Sequence, residues 1–258
     1  MDLAIKDQYF IVGGATSGLG RAIAERLLAE GANVIAVARS KDTLEQFAET
    51  KGSRCLAFPA DLSDPKAIEE LADFVEDYAL AGCVFNAGGP PTGRIDEIKM
   101  SDWDRAYEST MRWKIQLAQL LLPGMKERGY GRLLFVESVS IKQPIDNLVL
   151  SNAMRAAVAG YAKTLSREVG PAGITVNLMA PGYHATPRIT TVLDKSAEIQ
   201  GISLEEATAQ FTAETATQTL GQPRDFATMA AYLLSPHAAY ITGQTISVDG
   251  GLTRHITG

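Results

Sequence analysis

Cysteine is scarce in this sequence: Cys55 and Cys83 are the only two in 258 residues. They stand in no redox or metal-ligand spacing, which excludes a disulfide-stapled fold and a cysteine-rich zinc site. Two buried free thiols in a reducing compartment are expected, and no metal site. Long apolar runs are missing too, none approaching the roughly 20 residues that span a bilayer. The N-terminus, Met-Asp-Leu-Ala-Ile-Lys-Asp, lacks the charge-then-apolar layout of a signal peptide. A cytoplasmic protein with no membrane partner is the expectation. Nor is there an excess of basic charge. With 24 Lys and Arg against 30 Asp and Glu, the net charge is −6 and no basic stripe appears, so nucleic acid is not the main partner. A local basic pocket for a phosphate remains compatible with that balance. Internal repeats and low-complexity tracts are absent.

What is present is organised around Val12–Gly20, Val-Gly-Gly-Ala-Thr-Ser-Gly-Leu-Gly. The apolar run Tyr9–Val12 before it reads as a buried strand. After it, Leu19, Ile23, Leu27 and Leu28 recur at helical spacing. The glycines Gly14, Gly18 and Gly20 therefore sit where a strand ends and a helix begins. There the first helical N–H groups lack intrahelical partners and the positive end of the dipole faces out. Glycines let a pyrophosphate approach that backbone. A tight strand–helix turn without a ligand is the alternative at this point.

The rest of the chain keeps the same rhythm. Strands are expected at 33–38, 54–58, 82–86, 132–136, 173–179 and 244–249. Helices are expected at 42–50, from Pro65 to about Tyr78, at 101–128 with a bend or early end at Pro123-Gly124, at 151–169 and at 223–234. Ser63 or Asp64 is the expected N-cap before Pro65. Strands alternating with helices imply an α/β fold with a parallel sheet covered on both faces. The rhythm breaks between Tyr183 and Gln222, which reads as a mobile lid rather than a second domain. Arg39 stands at the end of the second strand, where a dinucleotide's adenosine ribose would lie. No acid is there to bond a 2′-hydroxyl, whereas a guanidinium fork suits a 2′-phosphate, so NADP(H) is expected over NAD(H). Asp61, after the third strand, is placed to accept a bond from an adenine amino group.

Taken together, Gly14-x-x-x-Gly18-x-Gly20, Asp61, Asn86-Ala-Gly88, Ser138, Asn177, Pro181-Gly182, Thr186 and the 241–251 segment Ile-Thr-Gly-Gln-Thr-Ile-Ser-Val-Asp-Gly-Gly make a specific set. In that order they resemble the short-chain dehydrogenase/reductase family over essentially the whole chain, most of all its β-ketoacyl-carrier-protein-reductase-like branch. The resemblance implies a Rossmann-like, doubly wound, seven-stranded parallel sheet in a single domain. It implies hydride transfer between a nicotinamide and a carbonyl or secondary alcohol, with a 3-oxoacyl thioester as the branch's substrate type, and a homotetramer or dimer. It implies cofactor contacts from Gly14, Ser17, Gly18, Leu19, Gly20, Arg39, Asp61, Leu62, Asn86, Ala87, Gly88, Arg155, Pro181, Gly182 and Thr186.

The family's catalytic group is an Asn, Ser, Tyr and Lys set, and here it departs. The Ser matches Ser138. The Tyr position is Ser151, the Lys position Arg155, and the Asn of the long helix falls at Thr110. Gly13 replaces a Thr of the turn motif and Phe85 the first Asn of Asn-Asn-Ala-Gly. Ser151 and Arg155 share a helix face at i,i+4 spacing and still point where Tyr and Lys would. A serine hydroxyl is shorter and a far poorer acid than a phenol of pKa about 10. Arg155 keeps its charge, holds hydroxyls by donation and stabilises an oxyanion, but does not pass on a proton. Either carbonyl reduction persists with the proton coming from water, the substrate or the lid-edge Tyr183 and His184, or a dinucleotide-binding scaffold or redox sensor remains. A lyase or isomerase on the same fold is a third reading.

Overall fold

The computed structural model describes residues 1–256, and its centre is a seven-stranded, wholly parallel sheet in the order β3-β2-β1-β4-β5-β6-β7. The strands are β1 (Tyr9–Gly13), β2 (Asn33–Ala38), β3 (Cys55–Pro59), β4 (Leu80–Phe85), β5 (Gly131–Val136), β6 (Ile174–Pro181) and β7 (Thr245–Val248). The helices are α1 (Gly18–Ala29), α2 (Lys41–Lys51), α3 (Pro65–Phe74), α4 (Met100–Tyr107), α5 (Trp113–Arg128), α6 (Val149–Val169), α7 (Pro187–Gln200), α8 (Leu204–Ala213) and α9 (Pro223–Leu234). The strand order reverses between β1 and β4, so the chain is a doubly wound Rossmann-like single domain. Central strands buried on both faces explain the uninterrupted apolar runs read in the sequence.

Two apolar layers flank the sheet. On one face Ile23 and Leu27 of α1, Leu44 and Phe47 of α2, and Phe226, Ala230 and Leu234 of α9 pack over Phe10, Val12 and Val34. On the other, Leu71 of α3, Trp113 and Leu117 of α5, and Val158 and Ala162 of α6 cover Ile11, Phe85 and Phe135. Phe85 stacks on Phe135 with ring centroids 4.3 Å apart and tilts against Trp113 at 6.0 Å. Cys55 on β3 and Cys83 on β4 are both buried free thiols, with two strands between them in the sheet order, and burial pushes the Cys55 thiol up to about 11.

Three sequence expectations are corrected. The 101–128 helix is not broken at Pro123. It runs through that proline to Arg128, and its irregularity is a π turn at Glu108–Arg112 between α4 and α5. The helix opened by Asp64 and Pro65 stops at Phe74, short of Tyr78, with Asp64 accepting from the Lys66 N–H as its cap. Helix α6 begins at Val149, a little before Ser151. The 183–222 stretch contains two ordered helices, α7 and α8, the second opened by a reciprocal Ser203–Glu206 capping box. Among the described residues no helix is long and apolar enough to cross a membrane, and no group of His, Cys, Asp and Glu is placed to hold a metal.

Because Phe85 is fully buried between two aromatic rings, Phe85→Ala is expected to cost about 3–5 kcal/mol of stability. Urea unfolding followed by far-UV circular dichroism checks it. A change within ~0.5 kcal/mol would mean that the stack does not hold this face.

Candidate active site

All seven strands point the same way, so their C-terminal ends form one rim, the place where open parallel sheets bind ligands. The first feature on that rim is the glycine turn. Gly14 and Gly18 take left-handed φ values of 62° and 55°, which only glycine adopts freely. A Cβ at Gly14 would lie 2.7 Å from Asn86 Nδ2, and one at Gly20 would lie 2.6 Å from the same atom. Asn86 Nδ2 in turn donates to the Gly13 carbonyl at 3.0 Å. Asn86 therefore ties the end of β4 to the turn after β1, and the glycines are what allow it so close. Ser17 stands at the N-cap of α1, yet its side chain caps nothing, so the first N–H groups of the helix remain available to an anion. Thr186 closes over this turn: a Cβ on Gly18 would come 3.6 Å from its methyl carbon.

Arg39 is exposed just beyond β2, and the N-cap of α2 next to it, Ser40, makes no capping bond either. Asp61 lies across from Arg39. Its Oδ1 accepts from the Ser63 N–H at 2.9 Å and the Ser63 hydroxyl at 2.7 Å. Those bonds, with Arg39's charge adding to them, hold its carboxyl below the usual aspartate range. Leu62 is buried beside it. Ala87 and Gly88 follow β4, and Gly88 faces open space, with nothing within 4 Å of where a Cβ would stand.

Ser138 follows β5 and turns the chain into a short 3-10 segment, its Oγ accepting from the Ser140 N–H at 3.1 Å. Ser151 and Arg155 lie one turn apart on α6, both only 9% exposed. Arg155 Nε donates to Ser151 Oγ at 3.0 Å, and Nη1 donates to the Glu137 carbonyl at 3.1 Å and to Glu137 Oε2 at 3.0 Å. Nη2 has no partner among the described residues and lies 3.0 Å from where a Cβ would stand on Gly89. Glu137 Oε1 accepts from Lys114, whose side chain is 3% exposed against 0% for the glutamate. Burial draws the Lys114 ammonium below the usual lysine range, and the facing Glu137 carboxylate opposes that. The hydroxyls of Thr110, in the π turn, and Ser140 are buried without a partner among the described residues.

The sequence reading missed Glu137 and Lys114. A signal for Glu137 exists: a carboxylate set directly between an apolar central strand and Ser138 needs a buried cation. Lys114, lying among apolar helix residues, carries no such signal.

The structure brings Ser138, Ser151 and Arg155 to one end of the sheet but directs Tyr183 and His184 elsewhere. The Tyr183 hydroxyl donates to Glu214 at 3.0 Å and its ring rests on Phe211. Burial and then Glu214 raise its pKa beyond the ordinary phenol range. His184 Nδ1 donates to the Gly182 carbonyl at 3.2 Å and its ring meets Phe226 edge-on at 5.4 Å. Phe226 belongs to the α1–α9 side of the sheet, opposite α6. Burial lowers the His184 pKa below the ordinary imidazole value, with the Gly182 carbonyl opposing it. Neither residue is hydrogen-bonded to Ser138, Ser151 or Arg155. At the foot of the same segment, Gly182 permits Asp249 to approach to 2.7 Å of a Cβ position, and Pro181 ends β6 beside it. A cavity of about 620 Å³ opens between Thr186, Ile189, Thr190 and Leu193 of the α7 region and Leu220.

Comparison with known proteins agrees with this architecture. Residues 14–253 match the family model described as enoyl-(acyl carrier protein) reductase. A 7alpha-hydroxysteroid dehydrogenase of Bacteroides fragilis is 33% identical over 97% of this chain and 96% of its own. A 3-oxoacyl-(acyl-carrier-protein) reductase of Vibrio cholerae is 32% identical over 94% of this chain and 96% of its own. Among solved structures, L-sorbose reductase of Gluconobacter frateurii, complexed with NADPH and L-sorbose, superposes with a TM-score of 0.94 at 28% identity, covering 99% of this chain and 100% of that one. An actinorhodin polyketide ketoreductase with NADPH gives 0.91 at 32% identity, covering 96% and 98%. With the strand order, the glycine turn and the Ser138 rim in place, the chain belongs to the short-chain dehydrogenase/reductase family.

Proposed function

We propose that the protein is an NADP(H)-dependent carbonyl reductase in which Arg155, and not a Tyr–Lys pair, stabilises the oxyanion. The observation that carries this is the state of Arg155. Three of its donor bonds are fixed by Ser151 and Glu137, and Nη2 is left unpartnered at the loop after β4. A guanidinium locked in that way is a preorganised donor, the arrangement that accelerates reactions in which charge develops on oxygen.

The dinucleotide fits this rim. The uncapped start of α1, with Ser17, Gly18, Leu19 and Gly20, suits a pyrophosphate, with Thr186 closing over Gly18 and Pro181-Gly182 bordering the rim at the end of β6. Arg39 and the uncapped start of α2 suit a 2′-phosphate, and the spare Oδ2 of Asp61 suits an adenine amino group. Reduced nicotinamide supplies the hydride when bound. The chain's own residues do the rest. Ser138 orients the carbonyl oxygen, and Arg155 Nη2 receives it as negative charge grows. Ser151 accepts from Arg155, so its own hydroxyl hydrogen remains free to donate. Neither Ser151 nor Arg155 is an acid of useful strength, so the alkoxide takes its proton from water or from the substrate. The 183–222 segment acts as the lid, its α7 wall forming the cavity beside Thr186. A homo-oligomer belongs to the same reading, supported by the exposed Tyr107 and Leu120 along α4 and α5 and the fully exposed Tyr240 before β7.

NADPH oxidation against β-keto thioesters, diketones and quinones tests the reading. Wild type is expected to turn over at least one of them, and Arg155→Ala to lower kcat/KM by about 10²–10³-fold, the usual loss for one oxyanion donor. If only the Ser151→Tyr, Arg155→Lys double variant were active, the scaffold reading would replace this one.

Cofactor choice is checked separately. Arg39→Ala is expected to weaken NADPH binding by about tenfold or more, the loss of one charge-assisted phosphate contact, and to leave NADH unaffected. Equal losses for both dinucleotides in a fluorescence titration would remove Arg39 from 2′-phosphate recognition.

A further inference from the structure

The cluster behind Ser138 is unbalanced in charge. Lys114 and Arg155 are two cations, and the carboxylate they share, Glu137, is one anion. No other acidic side chain among the described residues is paired with either cation. Asp249, the acid just past β7 and two strands from β5, spends both oxygens within its own segment, on the Gly251 and Thr253 N–H groups and the Thr253 hydroxyl. The excess is therefore one positive charge, held in a cluster that is nearly sealed from water. Buried charge is costly unless it is met by an opposite one.

The excess has an address. Of the five N–H donors of a guanidinium, Nε is used on Ser151 and both hydrogens of Nη1 on Glu137. The two hydrogens of Nη2 remain, pointing at a loop in which Gly88 and Gly89 supply no side chain to cover them. Lys114 is sealed behind Glu137 and touches nothing in the cleft, so it acts by charge alone.

We propose that this single excess charge seats a monoanionic group of the substrate next to the reacting carbonyl, which makes the substrate a 2-oxo or 3-oxo carboxylate. The two hydrogens of Nη2 then serve two oxygens of one molecule, the carbonyl oxygen and a carboxylate oxygen one or two carbons away. A neutral ketone or a thioester leaves the excess unmet. This reading deepens the carbonyl reductase reading and rests on it. Lys114 and Glu137 are positioning residues: Glu137 fixes the guanidinium, and Lys114 cancels the carboxylate so that Arg155 keeps its charge for the substrate.

The test is a charge ladder read by binding. Isothermal titration calorimetry on the apo protein and on the NADP+-loaded protein, which cannot reduce a ketone, compares acetoacetate with its neutral counterpart methyl acetoacetate. Wild type is expected to bind the acid at least about tenfold more tightly than the ester. Lys114→Met removes the excess and should bring the two affinities close together. Glu137→Gln raises the excess and should widen the preference. Lys114→Met combined with Glu137→Gln returns the count to one and should restore the wild-type ratio. A purely structural role would lower both affinities together and give no such order. Should Lys114→Met fail to fold, as judged by circular dichroism, the ordering of Glu137→Gln above wild type and the double variant carries the test. Equal binding of acid and ester by wild type, an unchanged ratio across the variants, or no heat from acetoacetate at roughly 50 mM, far beyond useful affinity, would each overturn the inference. If the ladder holds while NADPH reduces neither probe, the anion seat stands and the reductase reading falls. If the ester is reduced while the ladder fails, the reverse is true.

Discussion

One carboxylate governs the catalytic end of this molecule. Glu137 is fully buried and bonded to two cations on two different helices, Lys114 of α5 and Arg155 of α6. Burying an ion costs several kcal/mol unless its lone pairs are filled, and removing one partner of such a group costs about 3–5 kcal/mol. The network thus has little freedom to rearrange: each member is where it is because the others need it there. It joins the end of β5 to both helices and delivers the guanidinium of Arg155 to the rim with three bonds already made. An arginine that had to find its partners during the reaction would spend stabilisation on reorganisation; this one has spent it on folding.

If Ser151 and Arg155 stand where the family resemblance puts a Tyr and a Lys, as proposed, the two departures read as one change. A phenol at position 151 and an ammonium at 155 would fill this volume with an aromatic ring and a compact cation. With Ser151 the ring is gone, and a larger, planar cation lies in the space, Nε on the serine oxygen. A guanidinium there needs more acceptors than an ammonium, and Glu137, immediately before Ser138, supplies two of them through its carbonyl and its carboxylate. A carboxylate so deep would neutralise Arg155, and Lys114 offsets it. Serine, arginine, glutamate and lysine are thus mutually dependent, and no single one of them would make sense in the apolar surroundings alone.

Much of the fold was legible in the sequence because a parallel sheet buries its strands on both faces, so runs such as Leu133–Val136 have no other explanation. The glycine turn was legible because Gly14 and Gly18 do need positive φ and Gly20 does need close approach to Asn86. What was not legible depended on long-range pairing. Nothing local marks Lys114, flanked by Trp113 and Ile115, as half of a buried ion pair, and the π turn just before it leaves no sequence signature. Pro123 misled for a related reason: its lost hydrogen bond costs little where tertiary packing already holds Leu121 and Met125 in the core. Tyr183 and His184 looked available because they follow Pro181-Gly182 directly. A strand end does not fix on which side of the sheet the next side chain falls, and here Phe226 and Glu214 decide it.

The same geometry constrains proton movement. On the far side of the sheet, burial lowers the His184 pKa although the Gly182 carbonyl opposes it, and Tyr183 is turned into an even weaker acid by its own burial and by Glu214. A guanidinium is a hydrogen-bond donor and not a proton source. The protein groups at the rim are therefore built to hold negative charge and not to quench it by donation. On the proposed carbonyl reductase reading, the oxyanion must live long enough to meet a proton from water, and the free energy that a phenol would contribute by transfer has to come from electrostatic stabilisation. That requirement is met by a cation whose charge is undiminished, which is the condition Lys114 and Glu137 together maintain.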